Sequence, residues 1–214
     1  HDMTSEKYQI EFDKWKKEGY RLKQVSGFAR KVKAVESSRF AAIWVKEKGP
    51  ALKARHGLTR KSYQKTFDDY KKKGYRLVLV SGYSVNKKDY YAAIWHKITS
   101  VPLATHHFMS SKKYNKKCKE YAEKGYRPTW VSAYTVKGKD KYAAIWEKKS
   151  GGAWVARHRM TSSSYQNNFN SWSSKGYRLT VVSGYERKKK SNYAAIWEKK
   201  KRSNFIGPPW SERK

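Results

Sequence analysis

GYRLVLVSGYSVNKKDYYAAIWHK, from Gly74 to Lys97, reads as the two arms of a β-hairpin around a polar tip. Tyr, Leu, Val and Ile crowd both arms, and Asn86-Lys87-Lys88-Asp89 separates them with turn-compatible residues. The same words recur: Gly-Tyr-Arg stands at 19–21, 74–76, 125–127 and 176–178, and Ala-Ala-Ile-Trp ends at Trp44, Trp95, Trp146 and Trp197, a spacing of 51 residues throughout. A period of this length marks a repeat architecture. The first two Gly-Tyr-Arg triplets are 55 apart, and the surplus falls between Phe28 and Phe40, whose counterparts are Tyr83–Tyr91, Tyr134–Tyr142 and Tyr185–Tyr193. It reads as an insertion at one loop tip.

Before each hairpin, aromatic or apolar residues recur at helical spacing: Tyr8, Phe12, Trp15; Tyr63, Phe67, Tyr70; Tyr114, Cys118, Tyr121; Tyr165, Phe169, Trp172. Thr4, Thr59, Ser110 and Thr161 are placed to cap these helices, and Gly19, Gly74, Gly125 and Gly176 to end them. Cys118 stands where the three other repeats have Phe, which predicts a small core residue. A third strand is expected after each hairpin, over 51–56, 102–107 and 153–158. The fourth repeat runs instead into Phe205-Ile206-Gly207-Pro208-Pro209, while His1-x-Met3-Thr4 matches the motifs at His56, His107 and His158. Residues 1–4 are therefore expected to complete the last repeat. The predicted fold is α+β: one domain over 1–214 with repeats at 4–55, 56–106, 107–157 and 158–210. About twelve strands would form a closed or nearly closed β-rich ring or barrel with four peripheral helices.

The charge is the outlier. Fifty Lys and Arg oppose 17 Asp and Glu over 214 residues, a formal net charge of +33. Such a chain repels itself and attracts polyanions. Thirteen Arg and 37 Lys favour field-driven contact over bidentate reading of bases. A single cysteine excludes an intramolecular disulfide framework, and no apolar run is long enough for a membrane span. A start at His1 rather than Met reads as a processed form, and secretion is the expected setting.

The string Arg-His-x-Leu/Met-Thr … Tyr-Gln … Lys-Gly-Tyr-Arg-Leu-x-x-Val-Ser-Gly-Tyr … Tyr-Ala-Ala-Ile-Trp-Glu-Lys resembles the bacterial tandem repeat domain 1 family, as in the N-terminal repeat half of fungal polyglycine hydrolases. The likeness covers nearly the whole chain. It implies a repeat scaffold without the catalytic domain of those hydrolases, so no enzyme activity and no cofactor are expected.

The repeated His1, His56, His107 and His158 suit a local structural role at each strand–helix junction better than one metal cluster. Arg21, Arg76, Arg127 and Arg178, with Ser26, Ser81, Ser132 and Ser183, are expected to fix junctions to the next unit. Ser110-x-x-Lys113 has the spacing of a β-lactamase-like nucleophile pair but falls on a helix cap, which is the preferred reading. Trp130, Trp154 and Trp210 break the repeat pattern and are the aromatic candidates for exposed stacking.

The strongest functional candidates are basic hairpin tips: Lys31 and Lys33; Lys87 and Lys88; Lys137, Lys139 and Lys141; Arg187, Lys188, Lys189 and Lys190. Lys71, Lys72 and Lys73 join them from the end of the second helix. The resulting expectation is a non-enzymatic cationic scaffold for an extended polyanion, an acidic polysaccharide or a silica surface, which self-assembles into stacks or filaments. Sequence-nonspecific nucleic-acid binding and service as an accessory domain of a secreted serine hydrolase are the alternatives.

Overall fold

The computed structural model describes residues 1–98 and 102–199. Along the chain run α1 (Ser5–Lys17), β1 (Arg21–Val32), β2 (Val35–Val45), β3 (Leu52–Thr59), α2 (Arg60–Lys72), β4 (Tyr75–Val85), β5 (Lys88–Lys97), β6 (Leu103–Met109), α3 (Ser111–Glu123), β7 (Arg127–Val136), β8 (Lys139–Glu147), β9 (Trp154–Met160), α4 (Ser162–Ser174), β10 (Tyr177–Arg187) and β11 (Lys190–Lys199).

The helix ends follow the sequence signals. Thr4, Thr59, Ser110 and Thr161 accept the backbone N–H three residues on, filling one of the bonds a helix start lacks. Gly19, Gly74, Gly125 and Gly176 take φ of 76–83°, where a side chain would be strained.

Each hairpin is antiparallel, and its second arm lies in the middle of a small sheet. The strand orders are β3–β5–β4, β6–β8–β7 and β9–β11–β10. The third strand thus pairs with the hairpin that follows it in sequence, not the one before. The first unit obeys the same rule, since Met3 bridges Phe40 in β2. Residues 1–4 therefore complete the first unit rather than the last, and each unit reads strand, helix, hairpin. Phe205–Pro209 lies outside the described residues.

Among the described residues, no sheet closes into a barrel. The units stand in a row, with β1 packed on β4, β4 on β7 and β7 on β10. Trp95, Trp146 and Trp197 are fully buried, as are the Ala pairs before them. The small Ala side chains let a neighbouring sheet approach. The surplus in the first hairpin lengthens both arms by two residue pairs beyond those of the second, through Val32↔Val35 against Val85↔Lys88, and leaves a two-residue turn.

Three kinds of contact join neighbouring units, the serine bond at all three junctions and the other two at two junctions each. The Gly27, Gly82 and Ala133 backbone N–H groups donate to Ser81, Ser132 and Ser183 Oγ of the next unit at 2.9–3.0 Å. Above them lies a tyrosine of that unit: a Cβ at Gly27 would sit 2.4 Å from Tyr83 Cε1, and one at Gly82 2.3 Å from Tyr134 Cε1. Arg21 and Arg127 donate to the Pro50 and Gly152 carbonyls of the unit ahead. Ser81, Ser132 and Ser183 thus fix all three junctions and Arg21 and Arg127 the first and third, while Arg76 Nη2 has no partner among the described residues.

Gly82→Ala should cost about 1–3 kcal/mol, the usual penalty of overpacking, because the Tyr134 ring must move. Gly184→Ala should be near neutral, since its nearest atom, Tyr193 Cε1, is 3.6 Å away. Urea unfolding of the two variants checks the contrast; equal losses would mean that the ring contact does not hold the junction.

Candidate polyanion-binding edge

All four hairpins turn in two residues, between Val32↔Val35, Val85↔Lys88, Val136↔Lys139 and Arg187↔Lys190. Such tight turns match the twist of the strands when both central residues have positive φ, which favours Asn and Gly. Asn86 (φ 48°) and Gly138 (φ 71°) fit that demand. Lys33, Lys87, Lys137, Lys188 and Lys189 also sit there, at φ of 50–62°. Each brings a Cβ into a region that L-residues avoid, at about 1–2 kcal/mol.

The tips form one edge of the row. Neighbouring tips touch: Glu36 accepts the Asn86 N–H, and Thr135 Oγ1 donates to the Glu186 carbonyl. Lys31, Lys33, Lys87, Lys88, Lys137, Lys139, Lys188, Lys189 and Lys190 are exposed on this edge. Among the described residues, none of them makes an ion pair. Two nearby acids are held by arginines. Arg60 holds Asp89 through two bonds of 2.7 and 3.1 Å, and Asp140 is shared by Arg159 and Arg187 at 2.9 and 3.0 Å.

Other candidates separate from this group. Arg187 is half-buried and committed to Asp140. Lys141 lies 3.8 Å from the centre of the Phe108 ring, and burial followed by the charge of Arg60 lowers its pKa. Lys71, Lys72 and Lys73 are exposed at the C-terminal end of α2, beside the start of β4. The eleven residues of β4 put them about 33 Å from the tips. Trp130 donates its indole N–H to the Val80 carbonyl at 2.7 Å and packs at a junction rather than on the surface. Trp154 is half-buried at the start of β9, and Trp210 lies outside the described residues.

Ser110 Oγ accepts the Lys113 N–H of its own helix, so the Ser-x-x-Lys pair forms a cap. Cys118 packs beneath Tyr114, and burial pushes its thiol up to about 11. His56, His107 and His158 sit at a bulge and, like His1, are each followed by a residue at positive φ: Gly57, Phe108 and Arg159, with Asp2 after His1. This bend turns the ring back to the preceding unit. His56 and His158 bond Ser5 and Ser111 at 2.8 Å, and His107 packs edge-on against Tyr63 and Tyr91. Sequence reasoning missed this reach across the junction, although the invariant His-x step was its signal. Among the described residues, no three His, Cys, Asp or Glu side chains gather as a metal site, and no helix is long and apolar enough to cross a membrane.

A row of strand–helix–hairpin units with an adorned edge defines a tandem-repeat scaffold. The chain belongs to the family of polyglycine hydrolase-like structural repeats, which it matches over residues 1–47, 49–98, 100–149 and 151–200. Those limits follow the strand–helix–hairpin phase of the sheets. No curated protein matches the chain.

Burial holds His107 neutral, down to about 4 from 6.5, and lowers His56 and His158 as well. The unfolded chain binds these protons first as pH falls, so stability should be level above about pH 6.5 and decline towards about pH 4. Urea midpoints across that range test it, and His107→Gln should flatten the decline.

Proposed function

We propose that the chain is a non-enzymatic, rigid cationic scaffold that works outside the cell and binds an extended polyanion along its hairpin-tip edge. The partner class is an acidic polysaccharide or a silica surface. The observation that carries this reading is lysine at positive φ. Asn and Gly would make the same turns with less strain, so a lysine retained there points to a use for its charge.

The physics supports multivalent contact. Packed sheets lie about 10 Å apart, so four tips offer charge at regular intervals on a stiff frame. Several weak contacts then act together without the entropy cost of ordering a flexible tail. Lysine suits the task because a compact ammonium on a flexible stem attracts sulfate, carboxylate or silanolate without requiring a fixed geometry.

Replacing Lys87, Lys88, Lys137 and Lys139 with Gln should weaken binding to a heparin-like glycan and to silica particles at least about tenfold, and reduce its salt dependence. Replacing Lys71, Lys72 and Lys73 should have a smaller effect. Equal losses would reduce the reading to net charge alone. Preference for duplex DNA at physiological salt would transfer it to nucleic acid, and retention by none of the three would overturn it.

The turn strain supplies a separate check. Lys188→Asn with Lys189→Gly should stabilise the fold by about 1–2 kcal/mol while weakening polyanion binding. Opposite movements of urea midpoint and affinity are the expected result; unchanged affinity would show that these lysines are not used.

A further inference from the structure

The row has two unlike ends. Each junction buries a valine of one unit against an isoleucine of the next: Val25, Val80 and Val131 are 1–2% exposed, and Ile94, Ile145 and Ile196 at most 1%. The equivalent residues at the ends stand open, Val182 at 48% and Ile43 at 53%.

The polar half of the junction is also divided between the ends. Gly184, the counterpart of Gly27 and Gly82, is exposed, and among the described residues no serine of a further unit meets its N–H. Ser26, the counterpart of the accepting Ser81 and Ser132, is exposed at the opposite end. Phe28 occupies the place of the tyrosine that covers the glycine, and among the described residues nothing but Tyr193 of its own unit lies within 4 Å of a Cβ at Gly184. His1, whose counterparts insert into the preceding unit, is exposed too.

We propose that these ends bind each other: the Val182–Gly184 face of one molecule receives the Ile43–Ser26–Phe28 face of a second copy, extending the row head to tail. The occupant follows from continuity with an interface the chain already makes three times, with the same donor, acceptor and apolar residues in the same roles. The contact is heterologous, so each copy keeps a free end and growth gives a filament or, if the rotation closes, a ring. A chain of +33 opposes its own association, so assembly should strengthen as salt screens that repulsion. Polyanion binding should weaken over the same salt range, which lets either reading fail without the other.

Sedimentation of the full chain over a series of protein and salt concentrations tests the proposal. The mean mass should rise with both. Ile43→Lys and Val182→Lys, both at exposed positions, should each stay monomeric alone with an unchanged circular dichroism melt. Mixed in equal amounts they should form a dimer and nothing larger, because one retains the receiving face and the other the inserting face. A wild-type chain that is monomeric throughout, or variants that assemble as the wild type does, would overturn it. A monomeric chain in which Val182→Lys alters hydrogen exchange within residues 200–214 would assign the face to that segment, which also overturns it.

Discussion

The structure depends on a small contact made three times: a backbone N–H that its own hairpin does not use, given to a serine hydroxyl of the next unit beneath a tyrosine ring. A buried donor left without a partner costs about 1–3 kcal/mol, so the serine is needed wherever two units meet. The ring needs a residue with little or no side chain below it, which is why Gly27 and Gly82 have no alternative of full size. At the third junction Ala133 takes that place, and Tyr185 is correspondingly less buried than Tyr83 or Tyr134. Tyrosine hydroxyls add a second link, Tyr91 to Tyr134 at 2.8 Å and Tyr142 to Tyr185 at 2.9 Å. Phe40 stands where the first junction would continue the series, and among the described residues Tyr83 Oη is left without a partner.

Charge works against this framework, which makes its placement informative. Lysine on one edge raises the local potential and the self-repulsion together. Two of the acids that would temper it are held by arginines, Asp89 by Arg60 and Asp140 by Arg159 and Arg187, which leaves Glu36, opposite Lys31, and Glu186 as the acids at the tips. The core, the aromatic stacks and the histidine contacts give a frame rigid enough to keep that edge in register. The same frame leaves an apolar and polar remainder of its junction at either end.

Much of the fold was legible because its causes are local. A Thr or Ser before an aromatic helix face, a Gly at its end and a β-rich hairpin each act within a few residues, and all four copies formed as read. The phase of the third strand was not legible: moving it from one hairpin to the next leaves the same repeating text, and the observed pairings of β3 with β5, β6 with β8, β9 with β11 and Met3 with Phe40 distinguish them. Closure was not legible either, since a period of 51 carries no information on the rotation between units. At the edge, the exposed tips could be read from their composition. The withdrawal of Lys141 onto Phe108 and of Arg187 onto Asp140 could not, because those partners lie on other strands far away in sequence.

Amide hydrogen exchange of the dilute, monomeric chain tests the junction most directly. The Gly27, Gly82 and Ala133 N–H groups should be protected to nearly the free energy of global unfolding, while the equivalent Gly184 N–H should exchange at close to the rate of an open peptide. Equal protection at all four positions would contradict an open row held by serine-bonded junctions.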